Sequence, residues 1–139
     1  MAIKQSSISV ETRGRSLVSI TDSIRDFVQQ SDTQHGLVHL WIQHTSASLI
    51  VTENADPDVL RDHETYLSSL VPDGNPSFRH DAEGPDDMAA HIRSILTQTS
   101  LTIPVQNGRM ALGTWQGIFL WEHRTSPHRR TLIASILGS

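Results

Sequence analysis

Alternation of apolar and polar side chains marks much of this chain as strand. From Lys4 to Thr12, Ile8 and Val10 alternate with Ser7 and Ser9, which predicts a half-buried strand. Arg13-Gly14-Arg15 then predicts a turn, and Ser16 to Ile20 a short return strand. The clearest alternation runs from Leu37 to Gln43: Val38, Leu40 and Ile42 share one face, and the same period carries His44 onto that face at the strand's end. Leu49–Thr52, Leu101–Val105 and Thr131–Leu137 predict further strands. Arg109 to Glu122 reads as strand around a small-residue and glycine junction, with Gln116 and Glu122 on the same alternate positions as Leu112, Ile118 and Leu120. Trp115 and the glycines of that stretch are expected to be sheet scaffold.

Elsewhere the period lengthens to that of a helix. Thr21 or Asp22 is placed to cap a helix whose apolar side is Ile24, Phe27 and Val28, before the polar loop from Ser31 to Gly36. Asp56 followed by Pro57 is a helix start, and that helix is expected to reach about Leu70 with Val59, His63, Tyr66, Leu67 and Leu70 on one side. A third helix is expected from about Pro85-Asp86-Asp87 to about Gln98, burying Met88, Ile92, Ile95 and Leu96. Strands outnumber helices and their order does not alternate regularly. The predicted fold is therefore α+β, with about three helices packed on a mostly antiparallel sheet or sandwich, in one domain over residues 1–139.

Composition adds exclusions. The chain has no cysteine, which removes disulfides, iron–sulfur clusters and thiol catalysis. No apolar run reaches the roughly 18 residues of a membrane span, and no signal-peptide pattern opens the chain, so a cytoplasmic protein without membrane contact is expected. A net charge of -4 argues against nucleic-acid binding. The one basic run, His128-Arg129-Arg130, reads as a solvated strand entry more readily than as a phosphate cradle. The apolar share of 37% leaves room for a core completed between subunits. Eight histidines are the leading ligands and acid–base groups.

The strongest metal-like signal is the run from His80 to His91. Asp87 and His91 lie four apart on the third helix, on one face, and His80 reaches the region from the preceding loop. Two imidazoles and a carboxylate suit zinc or another divalent ion, and equally suit a hydrogen-bonded helix surface. His44, at a strand end before the hydroxyl run Thr45-Ser46-Ala47-Ser48, is either a functional imidazole or one satisfied at a sheet edge. Glu53, Asn54 and Asp56 precede a helix N-terminus, where the dipole favours an anion; Asp56 is the cap and Asn54 the freer group. His63 reads as a packing residue, and His123 is set aside in favour of Glu122, which alternates with Gln116. Phosphate-binding glycine loops, the dinucleotide fingerprint, the Gly-x-Ser-x-Gly elbow and His-Glu-x-x-His are all missing.

Four ordered motifs go further: His44-Thr45-Ser46-Ala47-Ser48-Leu49; Glu53-Asn54-Ala55-Asp56-Pro57 with Asp62; Gly84-Pro85-Asp86-Asp87-Met88-Ala89-Ala90-His91; and Ser100-x-x-Ile103-Pro104-Val105-x-x-Gly108 leading to Leu112-Gly113-Thr114-Trp115-Gln116. Together, from about Ser6 onward, they resemble the YjbQ-like family, often labelled secondary thiamine-phosphate synthase. The resemblance implies an α+β subunit assembling as a homotrimer, with polar pockets near subunit boundaries. It implies that His44, Asn54, Asp56, His80, Asp87, His91, Gln116 and Glu122 match the family's polar positions. It also implies a weak, secondary thiamine-phosphate synthase activity, joining a pyrimidine diphosphate to a thiazole phosphate. Where many members carry Glu-x-Asp this chain has Glu122-His123-Arg124, so a second carboxylate is lost.

The resulting expectation is an enzyme handling a small phosphorylated metabolite. His80, Asp87 and His91 would hold a divalent ion, zinc or magnesium. His44 would act as acid, base or phosphate contact, and Glu122 would accept a proton or orient a ligand. Asn54 and Gln116 would bind substrate. The alternatives are a non-catalytic trimer that binds a metal or phosphometabolite, and polar groups that merely bridge subunits.

Overall fold

The alternating segments form eight strands in the computed structural model, which describes residues 1–139. In chain order the elements are β1 (Ala2–Glu11), β2 (Ser16–Ser19), α1 (Thr21–Ser31), β3 (Gly36–Ile42), β4 (Ala47–Glu53), α2 (Pro57–Leu70), α3 (Asp87–Ile95), β5 (Ser100–Gln106), β6 (Arg109–Met110), β7 (Gln116–Glu122) and β8 (Arg129–Gly138). Every pairing is antiparallel. One sheet runs β1-β8-β3-β5-β6 and the other β2-β7-β4. The α+β class and the three helices are as expected from the patterning.

The two sheets face one another because each presents an apolar face to the other. Val38, Leu40 and Ile42 of β3, Ile103 and Val105 of β5, and Leu132, Ala134 and Ile136 of β8 meet Leu49 of β4 and Ile118 and Leu120 of β7, while Ile24 and Val28 of α1 complete the same core. β7 is covered on both sides, since Trp121, on its other face, packs with Leu67 and Val71 at the end of α2 and Ala89 of α3. That double cover explains its unbroken run Ile118-Phe119-Leu120-Trp121, a pattern that a strand with one wet face would not show. The glycines bracketing β3 and β8 permit a close approach: a Cβ on Gly36 would fall 2.1 Å from the Leu137 carbonyl oxygen.

Local expectations fare unevenly. Asp56 caps α2 as predicted, its carboxylate accepting from the Asp58 N–H at 2.9 Å, with Pro57 beginning the helix. Thr21 does not cap α1; its hydroxyl accepts from the Ile118 N–H at 2.9 Å and so ties the helix to β7. α3 ends at Ile95 rather than Gln98, and its buried side is Asp87, Ala89, Ala90 and Arg93. Ile95 and Leu96, expected inside, are 80% and 55% exposed. The phase differs because this helix packs through small residues and a buried guanidinium, which hydrophobic periodicity does not register. Tyr66 and Leu70 of α2 are likewise exposed. The stretch from Arg109 to Glu122 is two strands separated by residues 111–115, and Trp115, expected as sheet scaffold, is an exposed side chain in that connection. No helix is long and apolar enough to cross a membrane.

Candidate functional site

α3 starts at Asp87, so one helical turn lifts His91 over it: His91 Nε2 lies 3.2 Å from Asp87 Oδ2. From the loop before the helix, His80 Nε2 donates to the same oxygen at 2.8 Å. The two imidazoles meet edge to face with centroids 5.4 Å apart. Ligand atoms from all three residues fall within 4.8 Å of one another. The other oxygen, Asp87 Oδ1, faces Arg124 Nη1 at 2.9 Å, and Arg124 Nε donates to Asp86 Oδ2 at 2.9 Å.

These contacts set the charge states. Burial pushes the Asp87 carboxyl up, but the His80 hydrogen bond and the Arg124 and His91 charges outweigh it and hold the carboxyl below its ordinary value. The hydrogen bond to Asp87 raises His80. Asp86, where burial is outweighed by Arg124 and by the Thr125 N–H, is lowered to about 2. An ionised carboxylate is thereby fixed between two imidazoles.

A second polar cluster closes the end where β3, β7 and β8 approach. His44 Nε2 accepts the Thr131 N–H at 2.8 Å, so in the neutral ring Nδ1 carries the proton. Burial, then the Arg130 charge, lowers His44 from 6.5 and keeps it neutral. Arg130 Nε donates to Glu122 Oε1 at 2.8 Å, Nη2 donates to Glu122 Oε2 and at 3.0 Å to Ser46 Oγ, and Nη1 lies 3.4 Å from His44 Nδ1. Arg130 is thus buried, not the solvated strand entry read from His128-Arg129-Arg130, because its fork has a carboxylate partner inside the sandwich.

Glu122 is fully buried and also accepts from Thr12 Oγ1 at 2.6 Å and from the Arg124 N–H at 3.1 Å. Burial would raise its carboxyl, yet Arg130, Thr12 and the Arg124 N–H together hold it below 4.5. Both oxygens are engaged and neither faces solvent, so in this geometry Glu122 anchors Arg130 rather than awaiting a proton.

His44, Ser46 and His91 line one cleft of about 650 Å³ with Trp41, Ser94 and Thr99. The two clusters are also linked through the chain, since Arg124 touches Asp87 through its guanidinium and Glu122 through its backbone N–H. Asn54 and Gln116 are not brought there. Ala47 pairs with Glu122 at one end of β4–β7, whereas Glu53 pairs with Gln116 at the other. Seven residues of strand separate those ends by roughly 20 Å. Sharing a strand face therefore does not put Gln116 and Glu122 in one pocket. Both amides are held locally: Asn54 Nδ2 donates to the Gln116 carbonyl at 3.3 Å, and Gln116 Oε1 accepts the Gly113 N–H at 2.8 Å.

The family model described as UPF0047 protein YjbQ-like matches residues 6–139. The chain belongs to the YjbQ-like UPF0047 family. Among relatives, a UPF0047 protein of Synechocystis is 51% identical over 96% of this chain and 91% of its own length. The YjbQ protein of Salmonella typhimurium is 44% identical over 96% and 97% of the two chains. Solved structures agree in fold: a hypothetical protein of Aeropyrum pernix superposes with a TM-score of 0.89 at 28% identity, covering 98% of this chain and 99% of its own. A conserved hypothetical protein of Thermus thermophilus gives 0.85 at 33% identity, covering 95% and 99%.

Within this YjbQ-like chain the Glu122-His123-Arg124 run has a structural role of its own. Arg124 neutralises Asp86 and Asp87. His123 and Arg93, set aside or unnoticed in the sequence, form a dry bracket between α3, β4 and β7. Arg93 Nε donates to His123 Nδ1 at 3.1 Å, His123 Nε2 meets Ser48 Oγ at 2.8 Å, and Arg93 also pairs with Glu64 of α2. Burial, reinforced by the Arg93, Arg15 and Arg130 charges, lowers His123 from 6.5 to about 2. The unfolded chain binds this proton below pH 6.5 while the folded one does not, so stability falls as pH drops through that window. His123 alone should cost about 2 kcal/mol between pH 6.5 and about 5. Urea titrations should show a flatter acid limb for His123→Gln; identical limbs would refute the neutral-histidine assignment.

Proposed function

We propose that this chain is a cytoplasmic enzyme acting on a small phosphorylated metabolite in the His44/His91 cleft. The thiamine-phosphate-synthase type of transfer, joining a pyrimidine diphosphate to a thiazole phosphate with release of diphosphate, is the activity to test. The observation that carries the reading is Asp87: a buried, ionised carboxylate aimed between His80 and His91 beside the cleft that holds His44. Donor atoms on a tetrahedral zinc stand roughly 3.3 Å apart; the His80–Asp87 and His91–Asp87 pairs are close to that spacing at 2.8 and 3.2 Å, and all three ligand atoms fall within 4.8 Å of one another. The donor set suits zinc better than magnesium, which prefers an all-oxygen shell.

A divalent ion held there would supply positive charge for phosphate oxygens. The chain's own groups do the rest. Arg124 fixes Asp87 by one oxygen and leaves the other to the histidines. His44 is neutral, its Nε2 taken by the Thr131 N–H, and Glu122 holds the Arg130 guanidinium beside it as a fixed positive charge. A homotrimer is part of the proposal: Ile3, Leu137, Leu37 and Pro104 form one row across β1, β8, β3 and β5, and Ile3, Leu37 and Leu137 are exposed, as is Trp41. Such a face is suited to burial against another copy.

One observation favours a second reading, a non-catalytic trimer that binds a metal or phosphometabolite. The acceptor nitrogen of His44 is already taken by the Thr131 N–H and both Glu122 oxygens are bonded, so neither is a free base. Element analysis of the purified protein, followed by assay of diphosphate release between about pH 5 and 9, separates the two. Metal with turnover is the expected result. Metal and binding without product would favour the second reading, and a metal-free protein after zinc loading would overturn the metal site.

A further inference from the structure

A second cleft, of about 730 Å³, lies at the other end of the three-stranded sheet from His44 and His91, between α1 and the β5–β6–β7 connections. Its floor is Val28, Met110 and Leu112, apolar side chains that rest on the main core. Its walls carry the carboxamides of Gln29, Gln34 and Asn107, whose side chains bond to nothing else in the chain. Two guanidiniums, Arg25 and Arg109, outnumber the single lining carboxylate, Asp32, although the whole chain carries a net charge of -4. Arg109 has no carboxylate partner, and Arg25 holds Asp22 only through an exposed surface pair, which is worth little and is readily exchanged.

We propose that this cleft binds a nucleoside monophosphate. The size lies within the range that encloses small-molecule ligands, and an apolar floor with a few polar groups is their usual setting. A carboxamide presents a donor beside an acceptor and so matches a ring edge carrying the complementary pair, as glutamine and asparagine do with adenine. The Met110 and Leu112 side chains offer apolar contact to the flat face of such a ring. A guanidinium takes a phosphate through its planar fork, and Asp32 is placed to accept from a hydroxyl or ring amino group. The inference goes beyond the function proposed above and uses neither the histidines nor a metal ion.

The test is titration of the full ¹⁵N-labelled chain with AMP, CMP, adenosine and inorganic phosphate, read from backbone amide shifts. AMP or CMP should give saturable shifts at Gln34 and over residues 107–113 with a Kd below about 1 mM. Adenosine and phosphate should each bind about tenfold more weakly or worse. Arg109→Ala should reduce AMP to the level of adenosine, and Gln34→Leu should weaken AMP and adenosine together while leaving phosphate unchanged. The metal content of both variants should equal that of the parent. The proposal is overturned if neither nucleotide moves those amides, if the shifts fall only around His44 and His91, or if adenosine or phosphate alone binds as well as the nucleotide.

Discussion

His91→Ala should leave the purified protein without its divalent ion and without turnover, while its fold and assembly stay intact. The side chain is one-third exposed, and its polar contact is Asp87 Oδ2 at 3.2 Å. It also stacks edge-on against His80. Its removal therefore takes little from the core, and alanine is a good residue for the exposed turn of a helix. The donor set, in contrast, falls from three to two. Loss of partners that merely orient ligands commonly costs 10–100-fold in affinity, so loss of a ligand should cost about 100-fold or more. Metal stoichiometry after dialysis, diphosphate release and molecular mass by light scattering would be measured on the same preparation. A variant that keeps its metal would remove His91 from the site, and one that loses metal but keeps full turnover would separate the ion from the chemistry.

The largest stability effect is expected at Arg130. Its guanidinium and the Glu122 carboxylate form a doubly hydrogen-bonded pair, 5% and 0% exposed. Arg130→Met leaves Glu122 ionised and buried, with hydrogen bonds from Thr12 and the Arg124 N–H and the His128 imidazole 3.7 Å away, but no full cationic partner. Breaking such a pair from one side costs about 3–5 kcal/mol, whereas replacing both members by apolar residues costs much less. Urea denaturation should accordingly show Arg130→Met strongly destabilised and the Arg130→Met/Glu122→Met double variant recovering most of the loss. The pH signature follows from the same pair. The native Glu122 is held below 4.5, so its contribution is complete above that pH and is lost as pH falls through the folded value. In Arg130→Met burial dominates and the Glu122 carboxyl rises above its ordinary value, so the sign reverses: the ionised carboxylate is a penalty at neutral pH that is relieved as pH falls through the raised value. His44, lowered by burial and by the Arg130 charge, should move back toward 6.5 in the same variant. A cost under about 1 kcal/mol would show that the pair is not what holds this end of the sandwich closed.

Much of the metal-like cluster was legible because its spacing is local. Asp87 and His91 are separated by one helical turn, and His80 is only seven residues before Asp87, so helix geometry and a short loop suffice to join them. Arg124, Arg130 and Glu122 were not legible in their true roles. Each depends on a partner far along the chain: Arg124 on Asp86, Arg130 on Ser46, Glu122 on Thr12. Arg93 gave no signal either, because an arginine among Ala90, Ile92 and Ile95 reads as the wet side of an amphipathic helix until Glu64 and His123 are seen to enclose it.

The sequence by itself determined the element types, the antiparallel α+β class, the Asp56-Pro57 start of α2, the family, and the grouping of His80, Asp87 and His91, all of which follow from period, capping chemistry and motifs read in order along the chain. Only the tertiary structure decided which strand ends meet. It placed His44 beside His91 in one cleft and sent Asn54 and Gln116 to the other, because period two fixes which face a side chain occupies but not how far along the strand it lies. It also decided which charges are buried. A long charged side chain enters the interior only when a partner from elsewhere in the chain meets it there, and that meeting is made by sheet pairing rather than by local sequence.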